Sequence, residues 1–172
     1  MLSQGLATTK VSTETLPRGG SAANSEGISI KKVTLTDFRC YCHQRLELGQ
    51  GPIVLTGPNG AGKTNFLEGL SFLVPGRGLR RARLSDLARR DVSFNSSAQR
   101  GWGVAAVLRT LVGDVELGTA YEASTSGSRD KRIVKINGEI AKNQTVLAKH
   151  ASILWLTPQM DRLFLEGPGA RR

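Results

Sequence analysis

The sequence predicts an α/β fold in a single folded unit: a sheet that carries a phosphate-binding loop, with an antiparallel β insertion. Three observations lead there. The stretch "PIVLTGPNGAGKTNFLEGL" (52–70) passes from a short apolar strand through a glycine-rich turn into a helix. Two later stretches, at 101–122 and 131–141, alternate apolar and polar residues around turn signals, as antiparallel hairpins do. The chain has 172 residues, of which 39% are hydrophobic and 22% charged, enough for one core and too few for two full domains.

Residues 1–27 are rich in Ser, Thr, Ala and Gly without sustained periodicity, and are expected to form a disordered tail ahead of a domain covering 28–172. They lack the apolar stretch of a secretory signal and the arginine-rich, acid-poor character of a transit peptide. In "ISIKKVTLTDF" the alternation Ile28/Ile30 slips at Lys31-Lys32 before resuming as Val33/Leu35, which reads as a strand with a bulge. "QRLELG" is its expected partner. "PIVLT" (52–56) is a continuous branched apolar run, as in a strand covered on both faces.

After the glycine-rich turn, Phe66, Leu67, Leu70, Leu73 and Val74 recur at helical spacing, so one helix is expected to end before Pro75-Gly76. Gly69 inside it costs about 1 kcal/mol against alanine unless close packing on the sheet needs a small residue there. "LSDLARR" (84–90) reads as a short second helix. "GWGVAAVLRTL" and the alternating Val115, Leu117, Thr119 and Tyr121 form a hairpin around a Gly113-Asp114 turn, and "KRIVKINGEIA" forms another at Asn137-Gly138. A helix over 143–150 and a buried strand, "ASILWLT" (151–157), close the pattern.

"GPNGAGKT", Gly57 to Thr64, satisfies G-x-x-x-x-G-K-[ST] in the strand-loop-helix context the motif needs. The cradle comprises Gly57, Pro58, Asn59, Gly60, Ala61, Gly62, Lys63 and Thr64. Its glycines let successive backbone N–H groups converge on an anion at the positive end of a helix. Lys63 then reaches β- and γ-phosphates as a point charge, and the Thr64 hydroxyl ligates Mg²⁺, so ATP and Mg²⁺ are the expected cofactors. Hydrolysis would further require a carboxylate near the metal. The stretches ending at Asp114 and Asp161 are interrupted by glycine, proline or polar residues and are unconvincing as the acidic strand.

Lysine and arginine number 24 against 14 acids, a formal charge of +10 that attracts polyanions and makes nucleic acid the first partner to consider. The excess is local: residues 77–90 hold six arginines against Asp86 alone, a net of +5. Arg77, Arg80, Arg81 and Arg83 are the candidate DNA contacts, the alternative being a solvated face. Aromatic residues are only 5%, so backbone contact is favoured over base stacking. Five phosphate contacts would give a salt slope of about −4.5. Apolar runs reach about six residues, around Val104 to Leu108, far below the roughly 18 of a membrane-spanning helix. Cys40 and Cys42, two apart in "RCYCHQR", lie too far apart along a strand to bridge, which suits a reducing compartment. With only His43 and His150 as further soft ligands, packing rather than zinc is their expected use.

Outside the loop, "TLTDFRCY", Asn65, Leu67 and Glu68 behind Thr64, "LVPGRGLRRARLSDL" and "LWLTPQMDRLFLEGPGARR" together resemble the N-terminal part of the RecF family of bacterial DNA replication and repair proteins. That family is related to the chromosome-maintenance and ABC-type ATPases. The resemblance implies an ABC-type ATPase lobe with a mixed sheet, a cytoplasmic location, ATP held between two subunits of an ATP-dependent homodimer, DNA binding, and recombination-mediator partners. It places Gln159 where a glutamine senses Mg²⁺ and the attacking water, and Arg39 near the nucleotide phosphates; the alternatives are an ordinary loop residue and a solvated strand end. The family's signature segment, acidic strand and water-activating carboxylate would lie beyond Arg172, so a truncated product with negligible hydrolysis is expected. A small-molecule P-loop kinase, an ABC-type transport subunit and a non-catalytic remnant are the competing readings.

Overall fold

The structure, a computed structural model, describes residues 12–15, 27–90, 101–122 and 131–157. Its centre is a six-stranded sheet built from β2 (Ser29–Phe38), β3 (Tyr41–Glu47), β5 (Trp102–Thr110), β6 (Gly113–Glu122), β7 (Lys131–Ile136) and β8 (Glu139–Ile140). The order across the sheet is β3-β2-β5-β6-β7-β8. Two further strands, β1 (Ser12–Thr15) and β4 (Ile53–Thr56), form a separate antiparallel pair. Every described pair runs antiparallel, so the parallel pairing of a mixed sheet is not found among the described residues.

Alternation decides which face of the large sheet is buried. Val33, Leu35, Val104, Ala106, Leu117, Tyr121 and Val134 point to one side and are shielded from solvent. The slip at Lys31-Lys32 is a real irregularity, because the register of β2 against β5 shifts between Ile30 and Lys32. The Asn137-Gly138 turn also forms, with φ of 50° and 84° at its two central residues. The first hairpin turns earlier than expected: Thr110 pairs with Gly113, so Leu111-Val112 make the turn and Gly113 already belongs to β6. The Thr110 hydroxyl secures this turn by donating to the Gly113 carbonyl at 2.8 Å.

On the buried face lies α1 (Lys63–Leu70), continued by a 3-10 turn, Ser71–Leu73. A Cβ at Gly69 would stand 2.6 Å from Leu35 Cδ2, so the glycine is where the helix meets the sheet most closely. The buried side of α1 is Phe66, Glu68 and Gly69, while Leu67 is 48% exposed, so the expected apolar stripe is rotated and contains a carboxylate. Beyond the helix, Trp102 stands at the junction. Its ring meets Phe38 and Phe72 edge-on, each at 5.2 Å, and its Nε1 donates to the Leu84 carbonyl at 2.7 Å.

Five further expectations are corrected. "LSDLARR" forms only a 3-10 turn, Leu84–Leu87, because Ala88 bridges to Phe38 instead of continuing it. The 143–150 helix is likewise a 3-10 segment, Gln144–Lys149, capped by Asn143, whose side chain accepts from Thr145 N at 3.0 Å. "ASILWLT" is not a strand: no described strand pairs with it, and Leu154 and Leu156 are 99% and 75% exposed. Part of the expected tail is β1, in register from Ser12 opposite Thr56 to Thr15 opposite Ile53. Threonines suit extended backbone, and the open edge of β4 offers unpaired N–H and C=O groups. β4 itself is not enclosed on both faces by described residues, since Val54 is 39% exposed.

Trp102→Ala should lower unfolding free energy by about 3–5 kcal/mol, the range for deleting a buried aromatic side chain. Urea denaturation followed by far-UV circular dichroism measures it; a loss below 1 kcal/mol would show that this junction does not organise the core.

Candidate nucleotide site

The site begins where β4 ends. Gly57, Gly60 and Gly62 have φ of 142°, 83° and 95°, a region that side chains disfavour and that turns the loop back on itself. Ala61 N donates to the Pro58 carbonyl at 3.1 Å, and Gly62 caps α1 in a left-handed conformation. The Lys63 ammonium folds over the loop, donating to the carbonyls of Gly57 at 2.7 Å and Pro58 at 2.9 Å. Residues 57–60 are exposed and Ala61-Gly62 buried, so the loop has a solvent-facing rim and an anchored base.

Tyr41 provides that anchor. Its hydroxyl donates to the Gly62 carbonyl at 3.1 Å, and burial, with Cys40 beside it, pushes the phenol up to about 12, so it stays a donor at neutral pH. A Cβ at Gly62 would lie 2.7 Å from both Cys40 Sγ and the Tyr41 hydroxyl, whereas at Gly60 it would meet only open space. The residues present fit a triphosphate: main-chain donors at the start of a helix, one ammonium over the loop and a clear rim. Thr64 is exposed, with its hydroxyl uncommitted among the described residues, as a magnesium ligand requires. Gln159, the other expected magnesium contact, and Asp161 lie outside the described residues.

Behind the loop is a feature the motif does not reveal. Glu68 is fully buried and receives a two-pronged contact from Arg39, Nε and Nη2 each at 2.9 Å, and a third from Arg80 Nη1 at 3.3 Å. Arg80 also donates to Asn65 Oδ1 at 3.0 Å, and Asn65 Nδ2 reaches Cys40 Sγ at 3.3 Å. Arg39 sits at φ 54°, its N–H bonded to the Leu87 carbonyl at 2.7 Å and its Nη1 to the Asp86 carbonyl at 3.0 Å. It is therefore not a solvated strand end. The available signal for Glu68 was an acid in the middle of an apolar helical stripe, in a chain with a large excess of arginine.

The arginine segment divides. Arg80 turns inward to Asn65 and Glu68, and Arg90 lies 3.6 Å from Asp86. Arg77, Arg81 and Arg83 are exposed and make no ion pair among the described residues. Asp114 lies away from the loop, in β6, and pairs with Lys31 at 2.5 Å. Cys40 and Cys42 are free, exposed thiols.

Glu68→Gln should lower stability by about 1–3 kcal/mol, because the buried carboxylate that two guanidinium groups reach loses its charge; thermal melts of both proteins at several salt concentrations check this. Gly62→Ala should cost about 1–3 kcal/mol through backbone strain and its collision with Tyr41. A companion Gly60→Ala, which meets no neighbour, should cost less, and equal losses would contradict the close approach at Gly62.

A family model described as an AAA domain matches residues 32–159. The DNA replication and repair protein RecF of Rhizobium meliloti (strain 1021) is 45% identical over 145 residues, covering 84% of this chain and 36% of the relative. RecF of Brucella suis biovar 1 (strain 1330) is 44% identical over 146 residues, covering 84% and 35%. The chain thus spans little more than a third of these relatives. Among solved structures, the recombination mediator protein RecF with ATP superposes with a TM-score of 0.66 at 22% identity, over 88% of this chain and 38% of that one. An SMC ATPase, from work on ATP-driven dimerisation and DNA-stimulated activation, gives 0.63 at 18% identity, over 83% and 94%. At these identities the structural likeness establishes the fold alone, that of an ABC-type P-loop ATPase lobe. With an AAA domain model matched across most of its length and RecF relatives at this level of identity, the chain belongs to the AAA domain family and, within it, to the RecF type.

Proposed function

We propose that this chain is the ATP-binding lobe of a DNA replication and recombinational repair protein that binds DNA and dimerises with ATP. The observation that carries the reading is the loop itself: left-handed glycines, an anchored base and the Lys63 ammonium at the mouth, where a strand turns into a helix. In this reading the amides of 60–64 and Lys63 hold the phosphates, and Thr64, with Gln159, holds Mg²⁺, which supplies charge neutralisation of the phosphate oxygens. Arg39 and Arg80 stand behind the loop on Glu68. Arg77, Arg81 and Arg83 face solvent and supply the DNA contacts. Names of the similar proteins support the reading: RecF for replication and repair, and an SMC ATPase for nucleotide-driven pairing. A homodimer and recombination-mediator proteins are the partners this implies.

Titration of the purified chain with Mg·ATP, read through the amide signals of Gly60 to Thr64, should show saturable shifts. Lys63→Ala should weaken the affinity at least tenfold, about 1.4 kcal/mol. Untouched amides at millimolar ATP would overturn the nucleotide reading. Retention of duplex DNA that does not depend on nucleotide would overturn its coupling to DNA.

A further inference from the structure

Arg132 is drawn into the protein with no carboxylate beside it among the described residues. It sits on β7 directly across from Tyr121 of β6, on the buried face of the sheet. All five of its N–H donors are used. Nε donates to the Thr119 hydroxyl at 2.8 Å, Nη1 to the Gly76 carbonyl at 2.8 Å and to Gln144 Oε1 at 2.7 Å, and Nη2 to the carbonyls of Phe72 and Val74. Its guanidinium also lies over the Phe72 ring, 5.3 Å from the centroid. Each of these partners is neutral, so the hydrogen bonds are satisfied and the charge is not. Burial lowers its pKa to about 10, which still leaves it protonated at neutral pH.

In front of this charge is a cavity of about 330 Å³, bounded by Arg132, Arg77, Arg83, Gln144 and the loop residues between them. No acid lines it. Arg77 and Arg83 are exposed and make no ion pair among the described residues, in contrast to Arg39, Arg45, Arg80 and Arg90, each of which pairs with a carboxylate. The Gln144 amide oxygen already accepts from Arg132, which leaves its NH₂ as a further donor at the same place. Three positive charges therefore converge on a concave surface that carries donors and, among the described residues, no anion. Arg132 supplies fixed charge and holds the loop through Gly76; Arg77 and Arg83 supply the free donors.

We propose that this cavity is a seat for a phosphodiester of a nucleic-acid backbone, with Arg77 and Arg83 as its direct contacts and Arg132 as the positioning residue behind them. The inference rests on the DNA-binding reading above and refines it. The arginine segment does not act as one uniform basic face: Arg80 belongs to the nucleotide loop through Glu68, and the phosphate contact lies on the other side, against the β6–β7 hairpin.

The test uses the whole chain, ¹⁵N-labelled, with a short DNA duplex as probe and inorganic phosphate at equal phosphate concentration in a second titration. Duplex should shift the Arg132 Nε–Hε and Gln144 side-chain amide signals, and inorganic phosphate should leave them largely in place. In parallel, Arg77→Gln combined with Arg83→Gln should make the slope of log K against log salt shallower by about 1.8, two contacts at the duplex coefficient. Duplex binding with an undiminished slope and unmoved Arg132 would overturn the seat and leave the DNA reading standing. Equal shifts with inorganic phosphate would make it a pocket for a free anion and overturn the nucleic-acid assignment. Absence of any duplex-induced change in the protein would overturn both.

Discussion

The structure around the phosphate loop hangs on a single carboxylate. Burying Glu68 strips it of water, a cost of several kcal/mol for an ion, and the two guanidinium groups of Arg39 and Arg80 offset that cost by charge-assisted hydrogen bonds. Those partners come from different parts of the chain: Arg39 from the turn between β2 and β3, and Arg80 from the basic loop that follows the helix. Because Glu68 lies on the helix that starts at Lys63, the ion pairs tie the phosphate loop, the edge of the large sheet and the basic loop into one unit. The backbone repeats the connection. Arg39 N–H bonds to Leu87 and Arg89 N–H to Asp37, so the same turn is clamped by main chain and side chain together.

The second fixed point is the meeting of helix and sheet. Gly69 lets the helix approach Leu35, and past its end Phe72 wedges beside Trp102 and Phe38. This places the carbonyls of Phe72, Val74 and Gly76 where Arg132 reaches them from β7. The basic loop is therefore held at both ends by buried charge, by Glu68 on one side and by Arg132 on the other. The two differ in sign. Glu68 neutralises the arginines it meets, whereas Arg132 adds to the field of those near it. One short segment thus presents spent and unspent arginines on opposite sides.

Local signals in the sequence suffice where the physics is local. The phosphate loop is a matter of glycine conformations over eight residues, and the Asn137-Gly138 turn of two. The bulge at Lys31-Lys32 shows in the phase of the alternation alone. The readings that shifted depend on partners distant in the chain. "ASILWLT" has the composition of a buried strand, yet a strand exists only where another offers hydrogen bonds, and no described strand does. Serine and threonine at 12–15 show no apolar alternation, and their pairing is specified by the free edge of β4. Leu67 and Glu68 are adjacent on α1, and periodicity counts the leucine as core and the glutamate as surface. The arginines reverse that assignment.

The sequence by itself determined the glycine-rich turn from strand to helix at 57–64, the antiparallel hairpins and the strongly positive charge of the chain, since each follows from residue type and short spacing. Tertiary structure alone decided which arginines are neutralised, which carboxylate is buried, and that Arg132 stands beside Arg77 and Arg83 with no counter-charge among the described residues. The physical reason is range. Backbone conformation answers to neighbours a few residues away, whereas the energy of a charge depends on the dielectric and the counter-charges around it, and these are brought together only when segments 12 to 60 residues apart pack against one another.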